Sequence, residues 1–526
     1  MKKSILAMMI IVAMLAAGCS KQKEFSQEDT KEIVVTLNSD TGSLDPAGGI
    51  ALTYLAYSVS ALDELLAFDE NGEIEYRAAS SYEVNEEMTH WTFHLRKDGK
   101  WSNGDSVQAE DFIHTIQRAL DPKSGSGYGN YLFPIKNAEA IYHGEKPMSE
   151  LGVKAPDNFT LEFILESPCT YFLDLLRLPV YMPSCKEFAD SSRSGWDKNP
   201  DTSLGNGPFY LSEYVPEQYF VLKKNPYYWN KEEIQLDQIT YRFFDSQLTM
   251  MAAYEDGEVD VATNLQAAVL ERYKDKEDLV LGNTIVTRYI YPNLNVKPFD
   301  DVRVRKALSL ALDREELCEI VGGDTEPTYN FVAKYMLDKN TGEAYTKEWG
   351  PALNEDIKEA QRLLAEAGYP EGKGFPKLSY SYPALELDGD TAQVLQAQWK
   401  KNLGIEIELN PQELQVNYSQ RRAGEFDLCR MNWTADFANP HTYLSMLLSN
   451  GTYNTSGIND PKYDQLVADQ KMKEADSLAV GEEAYIIPLF TMKSCNLVRP
   501  GITNIKVIPA SGFFDYRYAD RKDVNK

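Results

Sequence analysis

The sequence predicts a protein of α/β or mixed α+β class with several domains, and three observations support this. Strand-like and helical segments alternate along the whole chain, which is typical of layered proteins that contain both elements. The 526 residues suffice for about three or four domains of average size. The composition, 43% hydrophobic and 25% charged, indicates a globular protein and excludes a disordered or fibrous chain.

The chain begins with the pattern of an export signal. Two lysines precede an apolar run over residues 4–17, which as a helix would reach only about 21 Å, short of the roughly 30 Å bilayer core. Cys19 follows directly after small residues, which resembles the bacterial lipobox. We expect residues 1–18 to be a signal peptide, Cys19 to be diacylated, and the polar residues 19–31 to form a tether. An ordinary signal peptide with an incidental cysteine is the alternative.

Three segments have strand patterns. Residues 33–37 are a β-branched run before a loop rich in Gly and Pro. Residues 91–95 alternate apolar and polar side chains and precede a turn at 98–99, and residues 405–409 alternate strictly. The pair Asn71-Gly72 is typical of a hairpin turn.

Three helices are predicted from apolar periodicity and end signals. Residues 109–120 place their apolar side chains on one face, and a proline follows shortly after. Asp300 and Asp301 are expected to cap a helix over residues 302–311. Asn354 is the expected N-cap of a helix that ends at Ala367, before a glycine.

Charge and missing motifs exclude several functions. The 80 acidic and 53 basic residues give a net charge of −27, which disfavours nucleic acid as a partner. The sequence contains no nucleophile elbow, Walker loop or zinc-binding H-E-x-x-H motif, so we predict neither an enzyme nor a cofactor. His90 and His94 share one strand face but lack a third ligand, so no metal site is predicted. After Cys19 the cysteines are odd in number, and only Cys169 with Cys185 is left open as a pair.

A set of motifs then occurs in order along the chain: Ser43–Pro46, His90–Gly104 with Ala109–Phe112, Gly205–Tyr210, Asn225–Trp229, Phe299–Leu308, Leu363–Tyr369 and Trp399–Gly404. Together they resemble the family 5 extracellular solute-binding proteins, which are peptide and nickel receptors of ABC importers. The resemblance spans residues 31–520. It implies a two-lobed periplasmic-binding-protein-like fold (type II, cluster C) with an extra domain and a ligand cleft between the lobes.

The resemblance also implies domain boundaries. We expect domain I to comprise residues 32–62, 188–285 and 498–526, domain II residues 63–187, and domain III residues 286–497. The implied function is a monomeric receptor, lipid-anchored at the outer face of the cell membrane, that captures short peptides for an ABC permease and its separate ATPase subunits. A receptor for a nickel chelate, a sugar or a signalling peptide is the first alternative. A surface peptidase or glycosidase is the second.

The segment 430–440 resembles the cleft motif of the oligopeptide-binding branch. By position, Asp436 would hold the α-ammonium group of the peptide, Trp433 would line a side-chain pocket, and Arg430 would pair with the C-terminal carboxylate. Without the resemblance, Asp436 is typical of a turn or cap, Trp433 of a core and Arg430 of a surface.

Three further residues match the branch at other positions. Trp399 corresponds to a second pocket-lining tryptophan, although its helical spacing is also typical of a core residue. Tyr128 and Asn264 correspond to positions near the ligand. The chain departs from the branch in two places. At residues 385–390 it lacks a histidine that in the branch anchors the C-terminus of the peptide, and between residues 466 and 475 the segment is shorter than in the family.

Overall fold

The computed structural model describes residues 30–38, 40, 42–48, 52–68, 73–189, 195–265, 267–339, 341–451, 453–508 and 514–522. The predicted signal peptide and Cys19 lie outside these ranges. The strands are β1 (Glu32–Leu37), β2 (Leu66–Phe68), β3 (Ile74–Tyr76), β4 (Ala79–Val84), β5 (His90–Leu95), β6 (Val153–Asp157), β7 (Thr160–Ile164), β8 (Phe209–Val215), β9 (Tyr219–Lys224), β10 (Gln238–Phe243), β11 (Val261–Ala262), β12 (Leu279–Asn283), β13 (Val286–Pro292), β14 (Thr325–Pro327), β15 (Leu378–Pro383), β16 (Ile407–Gln412), β17 (Leu428–Thr434), β18 (Ile487–Val498), β19 (Ile502–Thr503), β20 (Lys506–Val507), β21 (Phe514–Asp515) and β22 (Asp520–Arg521).

The α-helices are α1 (Leu52–Ala61), α2 (Ala109–Leu120), α3 (Ala138–Tyr142), α4 (Phe172–Leu175), α5 (Gln247–Glu255), α6 (Ala267–Tyr273), α7 (Val302–Leu310), α8 (Arg314–Val321), α9 (Tyr345–Trp349), α10 (Ile357–Glu366), α11 (Glu386–Leu403), α12 (Leu414–Arg422), α13 (His441–Leu444), α14 (Pro461–Ala468) and α15 (Met472–Ser477). Within the described ranges, none of these helices has both the length and the apolar content needed to cross a bilayer.

Several predicted elements are confirmed. The strands over residues 33–37 and 91–95 form as parts of β1 and β5, and α2 begins and ends at the predicted residues. Helix α7 begins after Asp301, whose carboxylate accepts a hydrogen bond from the backbone N–H of Arg303 at 2.9 Å. This bond satisfies one of the N–H groups that the first turn leaves without a partner.

The predicted starts of two elements are wrong. Helix α10 is capped by Asp356 instead of Asn354, because the Asp356 carboxylate accepts from the backbone N–H of Glu359 at 3.0 Å. Strand β16 begins at Ile407 instead of Ile405, because the N–H of Ile405 is already bonded to the carbonyl of Trp399 near the end of α11. In both cases a local hydrogen bond decides where the element starts.

The largest sheet has twelve strands and runs β16-β15-β17-β13-β18-β11-β1-β10-β9-β8, with β12 and β14 also paired to β18. Strand β18 belongs to both halves of this sheet, since its first residues pair with β13 and its last with β11 and β12. A separate sheet, β4-β5-β7-β6, lies within residues 79–164. Strands β2 and β3 pair as a hairpin, although the predicted turn at Asn71-Gly72 lies outside the described residues.

Hydrophobic cores cover both faces of the sheet around β13 and β17. Leu428 and Ile290 belong to the core that contains α7 and α11, whereas Cys429 and Tyr289 belong to the core on the other face. Side chains alternate between faces along a strand, so neighbouring positions on β17 serve different sides. The mixed α/β class is confirmed, while the domain boundaries stay a prediction.

Candidate functional site

The site lies where β15 and β17 end. These strands are parallel, and they pair only at Tyr380 with Leu428 and at Ser381 with Cys429. From Arg430 to Thr434, β17 pairs with β13 on one side, and no described strand pairs with its other edge. Open sheets commonly bind ligands at the carboxyl ends of parallel strands, and an unpaired edge can accept an extended chain.

Asp436 follows β17 by two residues and contacts the opposite part of the molecule. Its Oδ1 accepts a hydrogen bond from the hydroxyl of Tyr128 at 3.0 Å, and its Oδ2 accepts one from the hydroxyl of Tyr131. Both tyrosines come from the segment that follows α2, in and beside a short 3₁₀ turn over Gly129–Leu132. Residues some 300 positions apart in sequence therefore meet at one carboxylate.

The carboxylate of Asp436 has no counter-charge from the described residues. No described Lys, Arg or His forms an ion pair with it, and its backbone N–H is bonded to the Thr442 hydroxyl at 3.2 Å. Burial raises the pKa of Asp436, and the hydrogen bonds from Tyr131 and Tyr128 oppose this rise. Burial and the nearby carboxylate also raise the pKa of both tyrosines, so they remain hydrogen-bond donors.

Aromatic side chains border Asp436. Trp433 is half-buried, and its ring centre lies 4.9 Å from that of Tyr453 in an edge-on arrangement. Tyr453 is 40% exposed, so this pair presents apolar surface to solvent beside the carboxylate. The two rings can contact an apolar side chain or a cation.

Other contacts also hold the two parts of the molecule together. Tyr171 stacks on His441 with ring centres 4.3 Å apart, and its hydroxyl lies 3.2 Å from His441 Nε2. Elsewhere, the Lys339 ammonium lies 3.3 Å from the buried carboxylate of Asp174. The structure thus represents a state in which the segment with Tyr128, Tyr131 and Tyr171 lies against the region that follows β17.

Arg430 lies on the opposite face of β17 from Trp433 and is tied to other protein groups. Its Nε donates to Asp388 Oδ1 at 2.8 Å, and its Nη1 donates to Asn432 Oδ1 at 2.7 Å. Arg288 of β13 donates to the same oxygen of Asp388. Asp388 lies in the first turn of α11, and its side chain is 1% exposed.

Trp399 and Asn264 are not brought to Asp436. Trp399 is 1% exposed and donates its Nε1–H to the carbonyl of Leu308 at 3.0 Å, which is the core placement that the sequence left open. Asn264 has a left-handed backbone with φ of 53° and donates its N–H to Asn496 of β18 at 3.1 Å. Of the six predicted binding residues, Asp436 and Tyr128 are in direct contact, and Trp433 lies close by.

Sequence reasoning missed Tyr131, Tyr171, Arg288 and Asp388. For Tyr131 a signal exists, because it follows Tyr128 by three residues and a tight helical turn places such residues on one side. Arg288, Asp388 and Tyr171 are distant from the motif in sequence. Only the packing of the chain brings them to it.

The structure also shows the surroundings of His90, His94, Cys169 and Cys185, which the sequence analysis considered as possible metal ligands or as a disulfide pair. His90 lies 3.8 Å from Glu162, and His94 lies 3.7 Å from Glu83. Among the described residues, no three His, Cys, Asp or Glu side chains are grouped so that they could hold a metal. Cys169 and Cys185 are both free thiols, so the pairing left open by the sequence does not form.

Comparisons with known proteins agree with this geometry. The family described as bacterial extracellular solute-binding proteins, family 5 Middle, matches residues 73–455. The periplasmic oligopeptide-binding protein OppA of Salmonella typhimurium is 32% identical over 522 residues, covering 95% of each chain. Two solved structures are similar: Listeria monocytogenes OppA bound to peptide (27% identity, TM-score 0.77, covering 94% of this chain and 99% of that one) and Haemophilus influenzae OppA in complex with RPPGFSPFR (28%, TM-score 0.76, covering 94% and 100%).

Proposed function

The chain belongs to the bacterial extracellular solute-binding proteins of family 5, and on this premise we propose that it captures short peptides outside the cell and delivers them to an ABC importer. The observation that carries the proposal is Asp436, a half-buried carboxylate without a cationic partner among the described residues, beside an unpaired strand edge. Relatives named for oligopeptide binding, and solved relatives with peptide bound, support it.

The chemistry of a peptide ligand fits these groups. A receptor with loose sequence preference draws its affinity from what peptides share, namely the α-ammonium group and the backbone. Asp436 supplies a negative charge and hydrogen-bond acceptors for the ammonium. The free edge of β17 can pair with the peptide backbone in the manner of an added strand. Trp433 and Tyr453 can cover a peptide side chain.

Tyr128 and Tyr131 have a positioning role in this proposal. They approach Asp436 from the facing part of the molecule, so the ammonium group, the carboxylate and the two phenols would lie together when the parts close. Closure over a ligand is a common movement in two-lobed binding proteins. Arg430 remains a proposed partner of the peptide carboxylate, whereas Trp399 is better explained as a core residue.

The proposal includes a place in the cell. Cys19, once diacylated, would hold the protein at the outer face of the membrane, where a permease with separate ATPase subunits receives the peptide. The substitution Cys19→Ala should leave the protein unprocessed or released. Wild-type protein without lipid on its N-terminus, found fully in the medium, would contradict the anchor but not the peptide binding.

The test of peptide binding is a cycle that combines Asp436→Asn with N-terminal acetylation of the ligand. Removing one partner of a buried charge pair costs about 2–5 kcal/mol, so Asp436→Asn should weaken binding of free-amine peptides by roughly thirtyfold or more. Acetylated peptides should bind the wild type weakly and lose little more with the variant. Isothermal titration calorimetry measures all four combinations.

A matched control removes an equivalent charge elsewhere. Asp469 is exposed, and its side chain is bonded to Gln465 and Lys471, which are close to it in sequence. Asp469→Asn should therefore leave peptide affinity unchanged. Equal binding of acetylated and free-amine peptides by the wild type would remove Asp436 as the ammonium partner. Binding of no peptide at all would contradict the proposed function.

A further inference from the structure

Two loops carry contacts from one hydrophobic core of the molecule to another. One loop follows Met336 and the other follows Val467, and both of these residues belong to the core that contains Tyr289 of β13. Both loops contact the segment 168–174, in which Phe172 belongs to the core that contains β5. The loops therefore connect two parts of the molecule whose apolar side chains pack in different cores.

The first loop is a hairpin-like turn that presents Lys339. Leu337 and Ala344 form an antiparallel β-bridge at its base. The Lys339 ammonium lies 3.3 Å from Oδ2 of Asp174 and 5.1 Å from the ring centre of Phe68. The side chains of Asp174 and Lys339 are 3% and 29% exposed. Burial raises the pKa of Asp174 and the Lys339 ammonium opposes this rise, so Lys339 offsets part of the cost of a buried charge.

The second loop is a tight turn that presents Gln470. It connects α14 to α15, and Gln470 has a left-handed backbone with φ of 58°, at a position where a helix end commonly has glycine. Its Nε2 donates to the carbonyl of Pro168 at 3.3 Å, and its Oε1 accepts a hydrogen bond from the Thr170 hydroxyl. The turn lies between residues 466 and 475, where the resemblance indicates a segment shorter than in the family.

A buried carboxylate fastens the two loops to each other. Asp476 of α15 is fully buried, and its Oδ1 accepts from the backbone N–H groups of Phe331 and Val332 at 2.9 and 3.1 Å. Its Oδ2 accepts from the side-chain amide of Asn330 at 2.9 Å. These three residues precede the first loop, and Asp476 follows the second. The two loops therefore belong to one supported unit, whose contacts with the segment 168–174 form and break together.

We propose that Lys339 and Gln470 form a latch that holds the two parts of the molecule closed over a bound peptide, and that Lys339 controls how fast peptides leave. This inference rests on the proposed peptide-binding function and extends it to side chains that act through closure. The contacts of the latch are separate from the bonds that Asp436 accepts from Tyr128 and Tyr131.

The charge of Asp174 explains why Lys339 matters most. An ionised carboxylate favours the arrangement in which water solvates it, so burial of Asp174 opposes closure, and the Lys339 ammonium supplies the counter-charge. Both latch residues are positioning residues, because they act on the arrangement of the two parts. A change in the latch should therefore alter the residence time of different peptides by the same factor.

The experiment is a double-variant cycle of Lys339→Met and Asp174→Asn. Lys339→Met keeps an unbranched apolar chain but leaves the Asp174 carboxylate without this counter-charge. Stopped-flow fluorescence should show trialanine and trilysine leaving roughly threefold to tenfold faster, by the same factor, with a smaller change in association rate. With Asp174→Asn already present, Lys339→Met should have no further effect, because no charge remains to be compensated.

Two further variants separate the latch from general effects of charge and folding. Lys347 pairs with the exposed Glu343 on the same segment, so Lys347→Met should leave the dissociation rates unchanged. Thr170→Val keeps the shape of an exposed side chain, removes the hydroxyl bonded to Gln470, and should raise the dissociation rates about twofold. Thermal unfolding of ligand-free protein checks that each variant folds, and Thr170→Val tests the latch if Lys339→Met does not.

Small-angle X-ray scattering tests the latch without a peptide. The combined variant Lys339→Met and Thr170→Val should have a larger radius of gyration than the wild type, because its population shifts toward the open arrangement. Where peptides bind, the rates decide. Unchanged dissociation rates, or an equal effect of Lys339→Met with Asp174 and with Asn at that position, would overturn the latch and leave the proposed function intact. If no peptide binds, the proposed function fails; an unchanged radius would then overturn the latch too, and a larger one would support it.

Discussion

Two carboxylates near the end of β17 have opposite surroundings. Asp388 is fully buried between two arginines, and its negative charge is more than compensated by the protein. Asp436 is half-buried, accepts hydrogen bonds from two neutral phenols, and has no cationic partner among the described residues. The same side-chain group therefore leaves one site with surplus positive charge and the other with surplus negative charge.

This difference distinguishes charged groups that are paired within the protein from charged groups that are available to a ligand. The Asp388 ion pairs join β13, β17 and α11, so they contribute to the packing of one region. Among the described residues, the Asp436 charge pairs with nothing of opposite sign, and the hydrogen bonds from the two phenols offset part of the cost of burial.

The largest expected effect is on the free energy of unfolding, and it differs between Asp388 and Asp436. Asp388→Asn should lower the free energy of unfolding by about 3–5 kcal/mol, because it leaves two buried guanidinium groups without a counter-charge. Asp436→Asn should change it by less than about 1 kcal/mol, because it removes a buried charge that has no cationic partner among the described residues and keeps a hydrogen-bond acceptor. Urea unfolding of ligand-free protein measures both. Equal losses would show that Asp436 is structural as well.

The second prediction concerns acid and the contact beside Asp436. Burial lowers the pKa of His441 from 6.5 to about 4, so the closed state favours the neutral ring. If His441 becomes exposed when the lobes separate, its contribution to closure is complete above about pH 6.5 and is lost as the pH falls toward 4. Peptide affinity should then weaken by up to about tenfold per pH unit in this window.

A variant isolates this effect from the titration of Asp436. His441→Phe keeps an aromatic ring against Tyr171 but binds no proton, so its affinity should fall less steeply between pH 6.5 and about 4. The exposed His90 lies 3.8 Å from Glu162 and is not part of the Tyr171–His441 contact, so His90→Gln should follow the wild-type profile. Identical profiles for His441→Phe and the wild type would assign the acid dependence to other groups.

The smallest expected effect concerns the phenols that hold Asp436. Tyr131→Phe and Tyr128→Phe each remove one hydrogen bond to the carboxylate, which should weaken peptide binding by roughly tenfold, less than Asp436→Asn. Both bonds lower the pKa of Asp436, so each variant should raise that pKa, and binding should begin to fail at a higher pH on acidification. Calorimetric titrations across acidic pH test this, with the exposed Tyr227→Phe as the control.

The sequence by itself determined most of the local structure and the kind of fold. Strand β1, helix α2 and the cap of α7 follow from side-chain periodicity and from carboxylates near free N–H groups, which are short-range effects. Where prediction failed, at Asn354 and Ile405, a competing local hydrogen bond moved the boundary by two residues. The motifs that occur in sequence along the chain indicated the family, and the family implied the roles expected of Asp436, Trp433 and Tyr128.

Only the tertiary structure decided which charged groups of the site are paired within the protein. Tyr131 and Asp436 are 305 positions apart, and Arg288 and Asp388 are 100 apart, so neither pairing is visible in a local pattern. Packing also placed Trp399 in a core. In the part of the chain that the structure describes, Arg430 has a counter-charge in Asp388, whereas Asp436 has none. Electrostatic energy depends on distances and burial, which a chain acquires only when it folds, and it is this energy that separates a structural carboxylate from one left for a ligand.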